Sequence, residues 1–205
     1  MRCRCVARPT NACPIFSGPE TDVSTMVEQN EIKGWIGQLR SDDMERQREA
    51  SLRLGAAGKN AVAPVIQALE SASDDEERWY LAVALVRIGA PALDPLVAAL
   101  RDRHDPEFRR YASAALAEFG EDAVDPLVDL LGVEDDPQLR GFAARALNRI
   151  GEPAIDRLRE AVEEGGTLGV VAGLVLWRME EPGVRALVGV CCPEEISPGG
   201  VEPQS

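Results

Sequence analysis

The stretch DPEFRRYASAALAEFGEDAVDPLVDLLG, residues 105–132, decides the fold. Most of its characteristic Asp, Leu, Gly, Ala and Pro residues recur 31 residues earlier and 31 residues later. Self-similarity at a fixed period is the signature of a repeat protein, in which each copy is one supersecondary unit. The positions that follow this step are Gly58, Gly89, Gly120 and Gly151; Ala61, Ala92, Ala123 and Ala154; Leu54, Leu85, Leu116 and Leu147; Val65, Leu96, Leu127 and Leu158; Asp43, Asp74, Asp105 and Asp136; and Pro64, Pro95 and Pro126, with Arg157 in the fourth copy.

The residue pattern of each copy predicts two antiparallel helices. Asp105 precedes Pro106, and an Asp side chain accepts hydrogen bonds from the free N–H groups of a first helical turn, where Pro loses no bond. Apolar residues then recur at helical spacing until Gly120, whose permissive backbone suits a helix end. A second helix follows after a short turn, over about 123–131. We refer to the first and second helices of a unit as its A and B helices.

The period divides the chain into an array with two tails. One amphipathic helix with Ile32, Trp35, Ile36 and Leu39 precedes the first unit and is suited to covering an open end. We predict an all-α fold, an α–α superhelix of about five helical hairpins. The predicted ranges are a disordered extension over 1–26, the array over 27–190, with units at about 43–70, 74–101, 105–132 and 136–163 and a degenerate one at 167–190, and a disordered tail over 191–205.

Composition excludes several classes of partner. The chain has 22 Lys and Arg against 35 Asp and Glu, a net charge of −13. Nucleic acids and anionic membranes attract basic proteins, so we expect neither as a partner. There is no run of 18 apolar residues and no apolar core of a secretory signal near the N-terminus. We therefore expect a cytoplasmic protein, and we expect it to be a monomer.

The cysteines do not indicate a disulfide framework. All five lie outside the periodic units, at Cys3, Cys5, Cys13, Cys191 and Cys192, and their number is odd. The pair Cys3 and Cys5 and the pair Cys191 and Cys192 could bind a soft metal together if the chain ends met. Their spacing is poor for metal ligands, however, and no histidine lies near them. We expect no metal and no cofactor.

The motif Gly-x-x-Ala-x-x-Pro-Leu at Gly89–Leu96 and Gly120–Leu127 resembles the short HEAT repeats of the phycobilisome (PBS) lyase type. The resemblance covers about 160 residues and implies an armadillo-like α-solenoid. This wide family includes bilin lyase subunits, phycobilisome degradation factors, deoxyhypusine hydroxylase and many prokaryotic scaffolds. The resemblance is specific for the fold and unspecific for the function. The function that we predict is a non-catalytic scaffold or adaptor that binds a protein partner.

Two enzymatic functions of the family give different expectations. Deoxyhypusine hydroxylase resembles the chain in architecture but uses His-Glu dipeptides to hold its metal, and the lone histidine here, His104, is followed by Asp105. That chemistry is therefore rejected. A phycobilin lyase-like or tetrapyrrole-handling subunit stays as the alternative function. Its cradle needs aromatic residues, but we expect Trp79, Tyr80, Tyr111 and Phe142 to fill the core between repeats.

Two features near the A helices have a functional and a structural interpretation. His104 is a candidate general base, or simply a solvated loop residue. The pairs Asp74–Arg78, Asp105–Arg109 and Asp136–Arg140 could form an anion-binding stripe. Alternatively, each pair is a helix cap with an ion pair one turn apart, repeated as a ladder that fixes stacking, which is the interpretation we favour.

The outward side of the B helices carries the predicted partner-binding face. In the HEAT repeats that the chain resembles, B helices line the concave surface. Like charges in a concavity focus the electric field, which favours a basic helix or tail as ligand. A solvated face that only contributes solubility is the other interpretation. The predicted binding residues, which we name the acidic B face, are Asp94, Arg101, Asp125, Asp129, Asp156, Glu160 and Glu163.

Overall fold

The structure is a computed structural model that describes residues 23–41, 43–133 and 135–191. These residues form α-helices and short 3-10 turns and include no β-strand. The helices are α1 Val23–Gln38, α2 Met44–Ala57, α3 Lys59–Ser71, α4 Asp75–Ile88, α5 Leu93–Asp102, α6 Pro106–Ala117, α7 Val124–Leu131, α8 Pro137–Ile150, α9 Ile155–Glu164, α10 Gly166–Arg178 and α11 Glu180–Cys191.

The predicted tails lie largely outside the described residues. This applies to 1–22 and 192–205, and with them to Cys3, Cys5, Cys13 and Cys192. The first helix begins at Val23, before the array boundary placed at residue 27, and the last helix runs to Cys191.

The helices pair into five hairpins, which confirms the predicted all-α solenoid. The A helices are α2, α4, α6, α8 and α10, and the B helices are α3, α5, α7, α9 and α11. Each A helix contacts the next A helix, each B helix packs against the A helix of the following unit, and consecutive B helices are also neighbours. Stability in such an array comes from contacts between adjacent units, because one hairpin cannot bury both of its faces.

The repeated aspartates cap the A helices. The Asp74 carboxylate accepts from the Glu77 N–H at 2.8 Å, and Asp105 accepts from the Phe108 N–H at 2.7 Å. Asp136 accepts from the Leu139 N–H at 2.9 Å, and Asp43 caps α2 in the same way. Each carboxylate therefore satisfies an N–H group that has no partner inside the helix.

The repeated apolar positions form one continuous core. The side chains of Leu54, Leu85, Leu116 and Leu147, at one register position, are all completely buried, as are the four alanines of the series that starts at Ala61. Leucine fills the space between the hairpins, whereas alanine lets two backbones approach closely.

The two ends of the array differ. Ile32 of α1 and Leu39, which directly follows this helix, cover the first hairpin, and each is 1% exposed. Arg40, just after α1, donates from Nε to the buried Glu77 carboxylate at 2.6 Å, which ties this end to the second unit. At the other end α10 leaves an apolar stripe exposed, formed by Val170, Leu174 and Trp177.

Replacing Gly89 by Ala is expected to lower the free energy of unfolding by about 1–3 kcal/mol. Gly89 joins α4 to the next turn with φ 80° and ψ −151°, a region that side chains avoid. A methyl group added to this residue would meet open space, so the cost is backbone strain alone. Urea unfolding measures it, with Gly34→Ala inside α1 as the control, which should be neutral or stabilising. Equal effects of the two substitutions would contradict the claim that backbone strain at the positive φ of Gly89 causes the loss.

No single described helix is long and apolar enough to cross a membrane. One pair, Asp75–Ile88 with Ala90–Asp102, reaches the required length and composition only when taken together, across a bend of 118°.

Candidate functional site

The acidic B face lies on the surface of three neighbouring helices. Asp94, Asp125 and Asp156 share one repeat position on α5, α7 and α9, and all three are exposed. Asp129 and Glu160 share a second position, one turn further along. Arg101 and Glu163 share a third position and are exposed as well. The repeat therefore arranges these side chains in rows that run from unit to unit.

Arg157 neutralises part of this face. It stands where the first three units have proline, and its side chain is only 25% exposed. Its Nε lies 3.2 Å from the Asp125 carboxylate of the preceding unit, and its Nη1 lies 4.0 Å from Glu160 and 3.2 Å from Glu164. Among the described residues Asp94, Asp129 and Glu163 make no ion pair, so they are the carboxylates most available to a ligand.

The repeated arginines bind different groups from those predicted. We expected Arg78 and Arg109 to pair with the caps Asp74 and Asp105, but Arg78 contacts Asp75 at 3.4 Å and donates to the Ala72 carbonyl at 2.8 Å. At the same position Arg109 donates to the Arg103 carbonyl and Arg140 to the Val133 carbonyl, both at 2.6 Å. The cap carboxylates face the N–H groups of their own helices, so these arginines reach back to the preceding loop. Whether the series acts as an anion-binding stripe or as a ladder that fixes stacking stays a prediction.

Arg109 is the most buried of these arginines, with 1% of its side chain exposed. One of its Nη atoms donates to the Asp136 carboxylate at 2.6 Å, which joins two successive units. This hydrogen bond, together with the one from the Leu139 N–H, lowers the pKa of Asp136 from 3.8 to about 2. The pair therefore stays ionised at neutral pH and fixes the cap of α8 to the preceding unit.

His104 lies beside this pair. Its Nδ1 is 3.1 Å from an Nη of Arg109 and 3.5 Å from the Asp136 carboxylate, while 79% of its side chain is exposed. Its described polar contacts thus belong to a structural ion pair between units. Over residues 23–41, 43–133 and 135–191, no three His, Cys, Asp or Glu side chains gather to hold a metal ion.

We expected four aromatic residues of the A helices to fill the core, and the structure agrees only in part. Tyr80, Tyr111 and Phe142 are one more series with the 31-residue step, and all three are partly exposed. Trp79 is 53% exposed. Tyr80 and Tyr111 nevertheless pack against the core as partly buried side chains. Phe108, which the sequence interpretation did not include, is completely buried on α6.

Trp79, Tyr111 and Phe142 line a groove across α4, α6 and α8, which we name the A-side groove. Its largest cavity is about 610 Å³ and has Trp79, Val83, Val86 and Tyr111 among its lining residues. Smaller cavities continue it along α6 and α8 to Phe142. The charged lining residues of the groove are Arg87, Arg110, Glu118, Arg145 and Arg149.

Comparison with known families agrees with this architecture. Residues 93–170 match the family described as HEAT repeats, and residues 77–102 match the PBS lyase HEAT-like repeat. Together the two matches span residues 77–170. This confirms the predicted resemblance over α4 to α10. No curated protein matches the chain.

Solved structures similar to the chain include engineered and designed proteins. An engineered protein is 22% identical over 79% of this chain and 85% of its own, with a TM-score of 0.34. A designed armadillo repeat protein in complex with the peptide (KR)4 is 19% identical over 78% of this chain and 88% of its own, with a TM-score of 0.35.

Proposed function

We propose that this HEAT array is a non-catalytic scaffold that binds a basic segment of a protein partner along its acidic B face. The observation that carries the proposal is the register of the face: exposed carboxylates recur at equivalent positions of α5, α7 and α9. An extended or helical ligand with lysines or arginines at regular spacing would place a basic residue beside the carboxylates of each successive unit. Such charge complementarity supplies specificity and a fast association rate.

The carboxylates contribute unequally to this proposed function. Arg157 already forms ion pairs with Asp125 and Glu160, so these two carboxylates would contribute less to the affinity for a ligand. Asp156 lies 3.3 Å from Arg159. Asp94 on α5, Asp129 on α7 and Glu163 on α9 make no ion pair with a described residue, so a ligand can pair with each of them. The proposal therefore assigns the main contacts to these three residues.

The test is the binding of a fluorescently labelled peptide in which lysine and arginine alternate with alanine, followed by fluorescence anisotropy. The triple variant Asp94→Lys, Asp129→Lys and Glu163→Lys should bind at least about tenfold more weakly, a loss of about 1.4 kcal/mol. None of the three side chains makes a described ion pair, so the fold should be retained.

The matched control places the same three charge reversals elsewhere, as Glu31→Lys, Glu121→Lys and Glu152→Lys. These residues are exposed and lie outside the B helices. The control should bind the peptide nearly as well as the wild type. Equal weakening in both triple variants would mean that only net charge matters, and the proposed face would be wrong.

The alternative function, tetrapyrrole handling, has one specific observation in its favour. The A-side groove combines aromatic side chains with arginines, the residue types that would contact a pigment ring and its propionates. A bilin added to the protein should then shift its visible absorption spectrum. An unchanged spectrum would exclude this alternative.

A further inference from the structure

The A-side groove has the opposite charge to the rest of the molecule. Four arginines and one glutamate line it, whereas the whole chain carries a net charge of −13. The groove also lies on the A helices, so it is a different surface from the acidic B face. A positive groove on an acidic protein favours an anionic ligand, because the surrounding negative surface repels such a ligand everywhere else.

The arginines of the groove are of two kinds. Arg110 is held over the Tyr111 ring at 4.8 Å and contacts Asp75 at 3.1 Å, and Arg149 pairs with Glu118. Arg87 and Arg145 make no ion pair with any described residue, and both are exposed. The guanidinium of Arg145 lies 5.4 Å from the centre of the Phe142 ring. Two cations are therefore free to bind carboxylates at either end of the groove.

The floor between these cations is apolar. Val83, Val86 and Ala114 line it, and Trp79 stands at its side with about half of its surface exposed. The Trp79 ring meets the Tyr80 ring edge-on, with centroids 4.8 Å apart, which restricts its orientation. Tryptophan, tyrosine and arginine are the residues that most often dominate binding energy at protein interfaces. An exposed and oriented Trp79 beside an apolar floor suits a large apolar side chain.

We infer that the A-side groove binds an acidic peptide segment of a protein partner, one in which aspartates or glutamates flank a large apolar side chain. The apolar side chain would pack on Trp79 and the floor of the groove. The flanking carboxylates would pair with Arg87 and Arg145, since guanidinium groups bind carboxylates through two parallel hydrogen bonds. This site is independent of the proposed B-face function, and the array would then hold two oppositely charged segments on its two sides.

The experiment measures binding of a labelled peptide pool to the full chain by fluorescence anisotropy. In the pool, glutamate and aspartate flank each of the large apolar residues in turn, and a second pool has lysine in place of every acid. We expect the wild type to bind the acidic pool in preference to the lysine pool. The double variant Arg87→Glu and Arg145→Glu should lose at least about tenfold in affinity for the acidic pool. Trp79→Ala should weaken it as well.

The control is the double variant Arg48→Glu and Arg178→Glu, which changes the net charge by the same amount. Arg48 has the repeat position of Trp79 and Arg110 in the first unit, outside the groove, and both control residues are exposed. The control should bind the acidic pool at most a few times more weakly than the wild type, and circular dichroism should show all variants equally helical. Absence of binding across the acidic pool, or equal losses in the two double variants, would overturn the inference. So would binding of biliverdin at the groove in place of the peptides.

Discussion

Replacing Asp136 by Asn is expected to lower the free energy of unfolding by about 2–4 kcal/mol, because it leaves the buried Arg109 without its counter-ion. Asn caps helices about as well as Asp, so the hydrogen bond from the Leu139 N–H should be retained. The substitution therefore removes the charge that joins two units and little else. Arg109 has 1% of its side chain exposed and cannot turn to water without opening the interface.

The control for this effect is Asp105→Asn. Asp105 caps α6 in the same way, but it is not the carboxylate that binds Arg109. Its replacement should change the free energy of unfolding by less than about 1 kcal/mol. Urea unfolding followed by circular dichroism measures both variants. Equal losses in the two would show that capping, and not the pair with Arg109, accounts for the role of Asp136.

The ion pair between Arg109 and Asp136 also predicts how the free energy of unfolding depends on pH. The pKa of Asp136 is about 2 in the folded chain, below its ordinary value of 3.8, so folding favours the ionised carboxylate. Its contribution is complete above pH about 4 and is lost as the pH falls toward about 2. The difference in free energy of unfolding between wild type and Asp136→Asn should therefore shrink over this range. A difference that stayed constant from pH about 5 to about 2 would contradict the assignment.

Replacing Leu116 by Ala is expected to cost about 2–5 kcal/mol, because its side chain is completely buried in the middle of the array. Leu116 lies on α6, which packs against the A helices of both neighbouring units and against α5, the B helix of the preceding unit. The cavity therefore weakens three interfaces together. Thermal and urea unfolding should both show the loss.

The control for Leu116 is Leu52→Ala on α2, since Leu52 is a leucine on an A helix with 45% of its surface exposed. It should cost less than about 1 kcal/mol. If the two leucine substitutions had similar effects, the inward side of the A helices would be assigned wrongly.

The period of the sequence was sufficient to predict the fold. A fixed step places equivalent leucines, alanines, capping aspartates and turn glycines at equivalent points of every hairpin, so one unit that is assigned correctly gives all the others. The glycines of the series at Gly58, Gly89, Gly120 and Gly151 all have positive φ, as a helix end of this kind requires. Local chemistry and repeat geometry agree at these positions.

The sites were less predictable, because they depend on contacts between units. Nothing in the spacing of Asp105 and Arg109 reveals that the arginine reaches Asp136 of the next unit. The A-side groove was missed for a related reason. Aromatic residues at helical spacing usually belong to a core, and only the structure shows that Trp79 is half exposed and that Tyr111 keeps an exposed part along the groove.

The claim that the array is a scaffold with an acidic binding face is tested most directly by affinity capture from a lysate of the source cells. The wild type, the triple variant at Asp94, Asp129 and Glu163, and the control at Glu31, Glu121 and Glu152 would be compared side by side. We predict at least one protein with a basic segment that the wild type and the control retain and the triple variant loses. Capture of the same proteins by all three arrays would contradict the proposed function of the B face.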